Sequence, residues 1–472
     1  MFARENIHTI WRLTLTGCAA ALLALASAHG LAAQARGTFA FTNVNVIPMD
    51  RDRVLQDQTV VVADGRITAM GGASSVTVPA NATRIDGRGK FLMPGIAEMH
   101  GHLVTVNTQA ANAQTQAQLA EDVLFLYIAA GATTVRGMQG HASQIEHRRR
   151  VASGELIGPR LYLAAPSLGG VGGNAVTDPE VARQRVREAK QAGFDLLKVH
   201  EGLSPEVYAA IVDEAKKQGL PWGGHISNLV HLSGALAAKQ STIDHLDNYL
   251  EAMTPNNGAG IAPGLLALQA DESRIPELAR ATRAAGVAVV PTSSLWETLR
   301  GAREVAELQA RPELKYMPQT MRQNWTNQAT NARSSADPAA ARREVELRDK
   351  VLKALNDAGV VILMGTDAPQ VFSVPGFSLY HELPVMVRAG MTPFQVLASG
   401  TINVARFFGT ENETGTVANG KRADLLLLDA NPLQAIDNIQ RRAGVMVNGR
   451  WLPESEIQRR LGEIAARYAT AP

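Results

Sequence analysis

Pro94-Gly95-Ile96-Ala97-Glu98-Met99-His100-Gly101-His102 is a short apolar run that ends in two histidines. On a strand, side chains two apart project to one face, so His100 and His102 converge on the same volume. The layout recurs downstream. Runs with strand character span Phe91 to Met99, Thr133 to Met138, Arg160 to Ala165, Leu196 to Val199, Trp222 to His225, Thr242 to His245, Val287 to Pro291 and Val360 to Met364. Helix-like stretches lie between most of them, among them Pro179 to Ala192, Pro205 to Gln218 and Pro276 to Ala285. Eight strand candidates alternating with helices predict an α/β chain folded as a (β/α)8 TIM-type barrel. In a barrel, the C-terminal tips of the strands form the mouth where catalytic groups gather. No run is followed by a GxGxxG turn, so a dinucleotide fold has no anchor. The glycines of Gly169-Gly170-Val171-Gly172-Gly173 lack that spacing and read as a flexible loop.

Outside this middle the texture changes. Phe39 to Ile47, Thr59 to Ala63, Ile67 to Met70 and Ile85 read as short strands, punctuated by Asp64-Gly65 and Asp86-Gly87. Asp424 to Asp429 and Gly444 to Val447 repeat the pattern, with Asn448-Gly449 as the closing turn. The expected organisation is a signal peptide over 1–35 and a small β-sandwich domain begun by 36–92. The barrel then spans 93–412, and 413–472 completes the small domain and ends in a helix. The link from Trp296 to Asn356 is unusually long. Pro338 to Leu355 reads as a helix, whereas Pro312, Tyr316, Pro318 and Trp325 follow no helical period. Such a segment is either a lid or a helical insertion with no catalytic role.

Arg4 and Arg12 precede the apolar stretch Leu13 to Leu25, and small residues follow at Ala26-Ser27-Ala28 and Ala33-Gln34-Ala35. This is the pattern of an export signal, too short for a stable membrane anchor, and it predicts a periplasmic or secreted protein. Leu15-Thr16-Gly17-Cys18 has the spacing of a lipoprotein box, but the apolar stretch lies mostly after Cys18, so cleavage near Ala35 is expected. The 472 residues hold 46 basic and 44 acidic side chains, a formal charge of +2, which argues against a nucleic-acid partner. His147-Arg148-Arg149-Arg150 reads as a solvated helix face. Cys18 is the single cysteine, so neither a disulfide framework nor a thiolate metal site can be built. A small-molecule or short-peptide substrate is the expected partner, and the sequence is compatible with a homo-oligomer.

The residues that carry chemistry fall at the ends of five different runs. Besides His100 and His102 they are Lys198 in Leu196-Leu197-Lys198-Val199, His225 in Trp222-Gly223-Gly224-His225, His245 in Ile243-Asp244-His245, and Asp367 in Gly365-Thr366-Asp367. A lysine inside an apolar strand is costly unless it is paired or chemically altered. Any one of these histidines alone is more readily structural, but chance placement of the whole set at strand tips is implausible.

On these motifs the chain resembles the amidohydrolase superfamily, in the binuclear class whose bridging ligand is a carboxylated lysine. It is most similar to the imidodipeptidase-type (Xaa-Pro dipeptidase-like) members. The likeness covers nearly the whole mature chain, including Ala389-Gly390-Met391-Thr392-Pro393 and Gly420-Lys421-Arg422-Ala423-Asp424-Leu425. The resemblance implies two Zn2+ ions, with other divalent ions admissible. His100, His102 and Asp367 would hold one, His225 and His245 the second, and Lys198, as N6-carboxylysine, would bridge them. Imidazole and carboxylate oxygen suit zinc. Desolvation favours the neutral amine from which a carbamate forms. A metal pair supplies a nucleophile from water near neutral pH and polarises the scissile carbonyl. Asp367 would be the catalytic residue, taking the proton of that nucleophile and passing it to the leaving amine.

Departures from the family pattern bear on the substrate. Deaminases of the superfamily usually carry a glutamate three residues after the fifth-strand histidine, where this chain has Asn228. Many peptidase-like relatives have Gly-Gly-His after the third strand, where this chain has Gly172-Gly173-Asn174. Asn174 and His141, in Arg136-Gly137-Met138-Gln139-Gly140-His141, are therefore candidate substrate contacts. His381 reads as structural and His200 carries no assignment. The expected activity is hydrolysis of an amide bond in a dipeptide or N-acyl amino acid. A lactone or ester hydrolase on the same site is the alternative within enzymes, and a non-catalytic binding protein is the alternative outside them.

Overall fold

A computed structural model describes residues 37–103, 113–172 and 175–470. The expected signal segment with Cys18, and Asn174, lie outside the described residues. No helix among the described residues is long and apolar enough to cross a membrane.

The two ends of the chain share one eight-stranded mixed sheet. Phe39–Val46, Leu55–Ala63, Arg66–Gly72, Thr83–Asp86 and Phe91–Pro94 come from the first part, and Leu425–Leu428, Arg442–Val447 and Arg450–Pro453 from the last. The seam between them is antiparallel, pairing Met93 with Leu426 and Leu92 with Leu427. Phe41, Val44, Val60, Ile67, Leu425 and Met446 meet in one buried cluster, so residues from opposite ends of the chain share a core. The chain closes in the helix Glu454–Thr470, whose Tyr468 hydroxyl donates to Asp122 Oδ2 at 2.7 Å.

The middle of the chain is an α/β fold with parallel strands. Ile96–Gly101, Ala132–Gly137 and Arg160–Leu163 form one parallel sheet. Leu197–Val199, Trp222–Gly224, Thr242–Asp244 and Ala288–Val290 form another. Parallel bridges Ala164 to Leu196 and Leu168 to Val199 join the two. The last expected strand, Val360 to Met364, is no extended ladder. Val289 bridges Ile362, and Met99 N donates to Met364 O at 2.7 Å, so this run is held by isolated contacts on both sides. Its neighbours crowd it: a Cβ at Gly365 would lie 2.5 Å from Val290 Cγ1 and 2.8 Å from His100 N.

The helices start where local chemistry dictates. Pro179–Gln191, Pro205–Gln218 and Pro338–Asp357 each place proline in the first turn, behind a cap from Asp178, Ser204 or Asp337. The long link departs from its expected reading in its first half. Gln319–Ser335 is an α-helix that buries Trp325 and Ala329 among otherwise polar residues, too sparse an apolar stripe to show as a period. The glycine-rich stretch departs too. A Cβ at Gly170 would lie 1.8 Å from Gly202 O, so close backbone approach, more than flexibility, explains a glycine there.

The run from Phe91 to Met99 divides at Gly95, where the chain leaves one sheet for the other. Phe91–Pro94 pairs with Leu425–Leu428 and Ile96–Gly101 with Ala132–Gly137, while Gly95 N donates to Asp424 O at 2.8 Å. A Cβ at Gly95 would sit 2.1 Å from Thr133 Oγ1, so the crossing needs glycine. Gly95→Val is expected to destabilise the protein by about 1–3 kcal/mol through overpacking. An unchanged denaturant midpoint in that variant would refute the account.

Candidate active site

Strand alternation puts Glu98, His100 and His102 on one face of Ile96–Gly101 and its continuation. His100 is fully buried. Its Nδ1 donates to Asp244 Oδ2 at 2.6 Å, which turns the Nε2 lone pair inward, toward Lys198 Nζ at 2.9 Å. The other imidazoles repeat the device. His102 Nδ1 meets Gln139 Oε1 at 3.0 Å, His225 Nδ1 meets Asp247 Oδ2 at 2.7 Å, and His245 Nδ1 meets Thr292 Oγ1 at 2.8 Å. With every Nδ1 held by a group outside the cluster, Nε2 is the nitrogen left for a ligand on all four rings. Orientation of ligating histidines through the other nitrogen is the rule at metal sites.

The rings are close neighbours. Centroids of His100 and His245 are 4.4 Å apart, as are those of His225 and His245. Asp367 meets three of them, with Oδ1 2.7 Å from His102 Nε2 and 3.4 Å from His100 Nε2, and Oδ2 3.7 Å from His245 Nε2. Lys198 is 3% exposed and lies against Gly224, where a Cβ would come within 2.7 Å of Lys198 Cδ. The second glycine of Gly223-Gly224-His225 thus makes room for the lysine stem. All six residues predicted from the sequence are brought together.

Electrostatics follow from burial. Desolvation lowers the Lys198 ammonium below the usual lysine range. Desolvation, and then the neighbouring cations, push His100 and His245 well below the usual histidine value. Burial alone would raise Asp367, but His100, His102 and Lys198 outweigh it and hold the carboxyl below the ordinary range. Glu98 goes the other way, pushed up to about 8 by its burial. Its Oε1 accepts from His100 N and Thr366 N, each at 2.9 Å, so it ties the first strand to the loop that carries Asp367.

The donor set fits divalent cations. His245 Nε2 and Asp367 Oδ1 are buried and make no hydrogen bond, although His102 Nε2 lies near the latter. Ligand atoms of His100, His245 and Asp367 all lie within 4.8 Å of one another, and those of Glu201, His225 and Asp247 do the same. Buried atoms of this kind left without a partner are costly unless a cation completes them.

Several participants were not foreseen. Asp244 and Asp247 flank His245, yet alternation sends Asp244 and His245 to opposite faces of a regular strand. The backbone is left-handed at His245 (φ 66°) and Leu246 (φ 54°), and this lets both side chains reach the site. Asp367 is left-handed as well (φ 63°). Non-glycine residues held there are uncommon and cluster at functional sites. Arg136 is fully buried; it donates to Met99 O, Thr242 Oγ1 and Asp244 Oδ2 at 2.5, 3.0 and 2.9 Å. His200, left unassigned by the sequence, packs at a tilt with its ring centroid 4.2 Å from that of His225, and its Nδ1 accepts from Glu201 N. His381 pairs with Glu313 at 2.6 Å, away from the cluster. His141 caps the helix Ala142–Ser153 by accepting from Ser143 N and borders a separate cavity with Ser167 and Leu168.

Residues 91–452 match the amidohydrolase family. The chain is 24% identical over 414 residues to an imidazolonepropionase of Idiomarina loihiensis, a match covering 82% of this chain and 90% of that one. It is 22% identical over 455 residues to the ochratoxinase of Aspergillus niger, covering 84% and 82% respectively. The solved structure of a Xaa-Pro dipeptidase with bound methionine shares the fold at a TM-score of 0.66 and 20% identity, over 88% of this chain and 100% of that chain.

Arg136→Met keeps an unbranched stem but leaves the Asp244 carboxylate buried without its cation. It is expected to destabilise the fold by about 3–5 kcal/mol. Unfolding within 1 kcal/mol of wild type would show that His100 alone suffices for Asp244.

Proposed function

The chain belongs to the amidohydrolase family, hydrolases of carbon–nitrogen bonds, and on that premise we propose that it cleaves the amide bond of a dipeptide or an N-acyl amino acid. The observation that carries this reading is the shared orientation of four imidazoles, each with Nδ1 engaged, three of them with Nε2 facing Asp367 and the fourth, His225, packed against His245. His100, His102 and Asp367 would hold one zinc ion, His225 and His245 a second, and Lys198 as a carbamate would join them. When bound, the pair would supply a water-derived nucleophile near neutral pH and polarise the scissile carbonyl.

The chain's own groups do the rest. Asp244, Gln139, Asp247 and Thr292 hold the imidazole orientations. Asp367, kept ionised by its neighbours, accepts the proton of the attacking water and delivers it to the leaving amine nitrogen. Burial lowers Lys198 below the usual lysine range, the direction that favours the neutral amine carbamate formation needs. Asn228 in place of a carboxylate speaks against deamination; its Oδ1 accepts from Asn248 Nδ2 at 3.2 Å.

The same proposal includes the wider architecture. The bridges and backbone bonds on both sides of Val360 to Met364 support closure of the parallel strands into a (β/α)8 barrel over 93–412. The shared cluster of Phe41, Ile67 and Met446 supports a sandwich-like small domain from 36–92 and 413–472. The Arg4 to Ala35 segment supports export to the periplasm or beyond. His141 and Asn174 stay proposed substrate contacts, to be tested by substitution.

A panel of dipeptides, N-acyl amino acids and lactones tests the reading directly; turnover of lactones with no amide cleaved would overturn it. Purified protein is expected to hold about two divalent ions per chain. Lys198→Ala should deplete both and abolish turnover, with partial recovery on adding short-chain carboxylic acids. Full metal content in that variant would remove Lys198 from the site. Asp367→Asn should lower turnover by about 10²–10⁴-fold, and near-normal turnover would assign the proton to another group.

A further inference from the structure

Beside the imidazole cluster lies a cavity of about 620 Å³ whose walls include Asp247 and Trp296. Asp247 is the partner of His225, and the Trp296 ring lies 6.1 Å from that of His245, so the cavity adjoins the site of the proposed reaction. Arg300 and Arg348 also line it. Their guanidinium carbons lie 4.6 and 4.5 Å from the centre of the Trp296 ring. Both donate from Nε to the same oxygen of Glu344, at 3.1 and 2.9 Å, and Glu344 is only 2% exposed. Glu251 and Asp247 on the same wall also feel these cations, so what the pair offers a ligand is unused N–H donors and not a net positive charge.

The two arginines differ in what they leave free. Arg348 spends Nη1 on His245 O at 2.6 Å. Arg300 is tied by Nε alone, and neither of its Nη atoms has a hydrogen-bond partner among the described residues. Trp296 Nε1 is likewise buried without an acceptor. A guanidinium fixed through Nε on a cavity wall, with both terminal nitrogens unpartnered, can take a bidentate carboxylate. Much of the remaining wall is apolar, with Leu246, Leu250 and Leu266. Glu201, Asp247 and Glu251 line the cavity too, so selection of an anion there depends on directed hydrogen bonds from Arg300 and Trp296.

We propose that Arg300 reads the free carboxylate of the substrate, with Trp296 N–H as a further donor and the leucines receiving an apolar side chain. The proposal rests on the amide reading and adds to it the residue that recognises the carboxylate those substrates share, and so selects them over neutral amides. The substrates expected are N-acyl amino acids and dipeptides with a free C-terminus.

N-acetyl-L-phenylalanine and N-acetylphenethylamine present the same scissile amide and differ by the carboxylate. Binding of each to the full chain is measured by calorimetry, and turnover in parallel. Wild type should bind the acid at least about 10-fold more tightly, and Arg300→Gln should cut that preference by about 10–100-fold, as expected for a lost charge-assisted pair. Arg300→Lys, which keeps the charge but not the fork, should fall between, and it decides the matter if Arg300→Gln fails to fold. Equal binding of the two ligands by wild type, or a preference unchanged in Arg300→Lys and Arg300→Gln, overturns the subsite. An Arg300-dependent preference without hydrolysis of either ligand leaves the subsite standing and fells the amide reading. Amide cleavage without any preference does the reverse.

Discussion

A carboxylate with no exposure to water sits at the centre of this structure. The Asp244 carboxylate is matched there by Arg136, 2.9 Å away, and by His100, which donates at 2.6 Å. The desolvation penalty of two such charges is several kcal/mol each, and it is offset only when the geometry is good and the remaining donors are used. Arg136 meets that condition by also binding Met99 O and Thr242 Oγ1. Three strands are tied through one guanidinium: the one that carries His100, the one that carries Arg136 and the one that leads to His245. The network that fixes the fold here is the network that aims the imidazoles.

The second constraint is geometric. A regular strand offers only alternate residues to a face, which would give the site either Asp244 or His245. Left-handed backbone at His245 and at Asp367 breaks the alternation where the strands end. Strain of this kind persists only when the surroundings over-determine it. The surroundings are visible: Arg348 Nη1 holds His245 O, while Asp367 N donates to His100 O at 2.6 Å and Glu98 grips Thr366. The helix Pro338–Asp357, which carries Arg348, therefore contacts both the backbone of a candidate ligand and the wall of the adjoining cavity.

The small sheet enters through Gly95. Because the chain passes there from a strand paired with Leu425–Leu428 to one that ends in His100 and His102, the two sheets are joined within a single peptide unit. Thr133 packs against that unit closely enough to exclude a side chain, which fixes the angle of the crossing. The first ligand-bearing strand is thus anchored at its start by the sheet that both chain ends build.

The sequence by itself determined the candidate ligands and the order of the parallel strands. Apolar runs of strand length, each ending in His, Lys or Asp, are local patterns, and local patterns survive in one dimension. Proline and its capping residue marked helix starts such as Pro205 and Pro338 for the same reason. Only the tertiary structure decided which partners those residues have. Asp244 stands one residue from His245 in sequence, yet it serves His100, 144 positions away. Arg136 reads as one more charged residue until the strands place it beside Asp244. The helix Gln319–Ser335 was hidden because two buried side chains make no period, and the division of the first run at Gly95 because both halves are equally apolar. Trp296, Arg300 and Glu344 lie in a segment without strand pattern, and their meeting depends on how that segment packs. Pairings set by long-range packing leave no local trace, which is why the site's donors were legible and the groups that orient them were not.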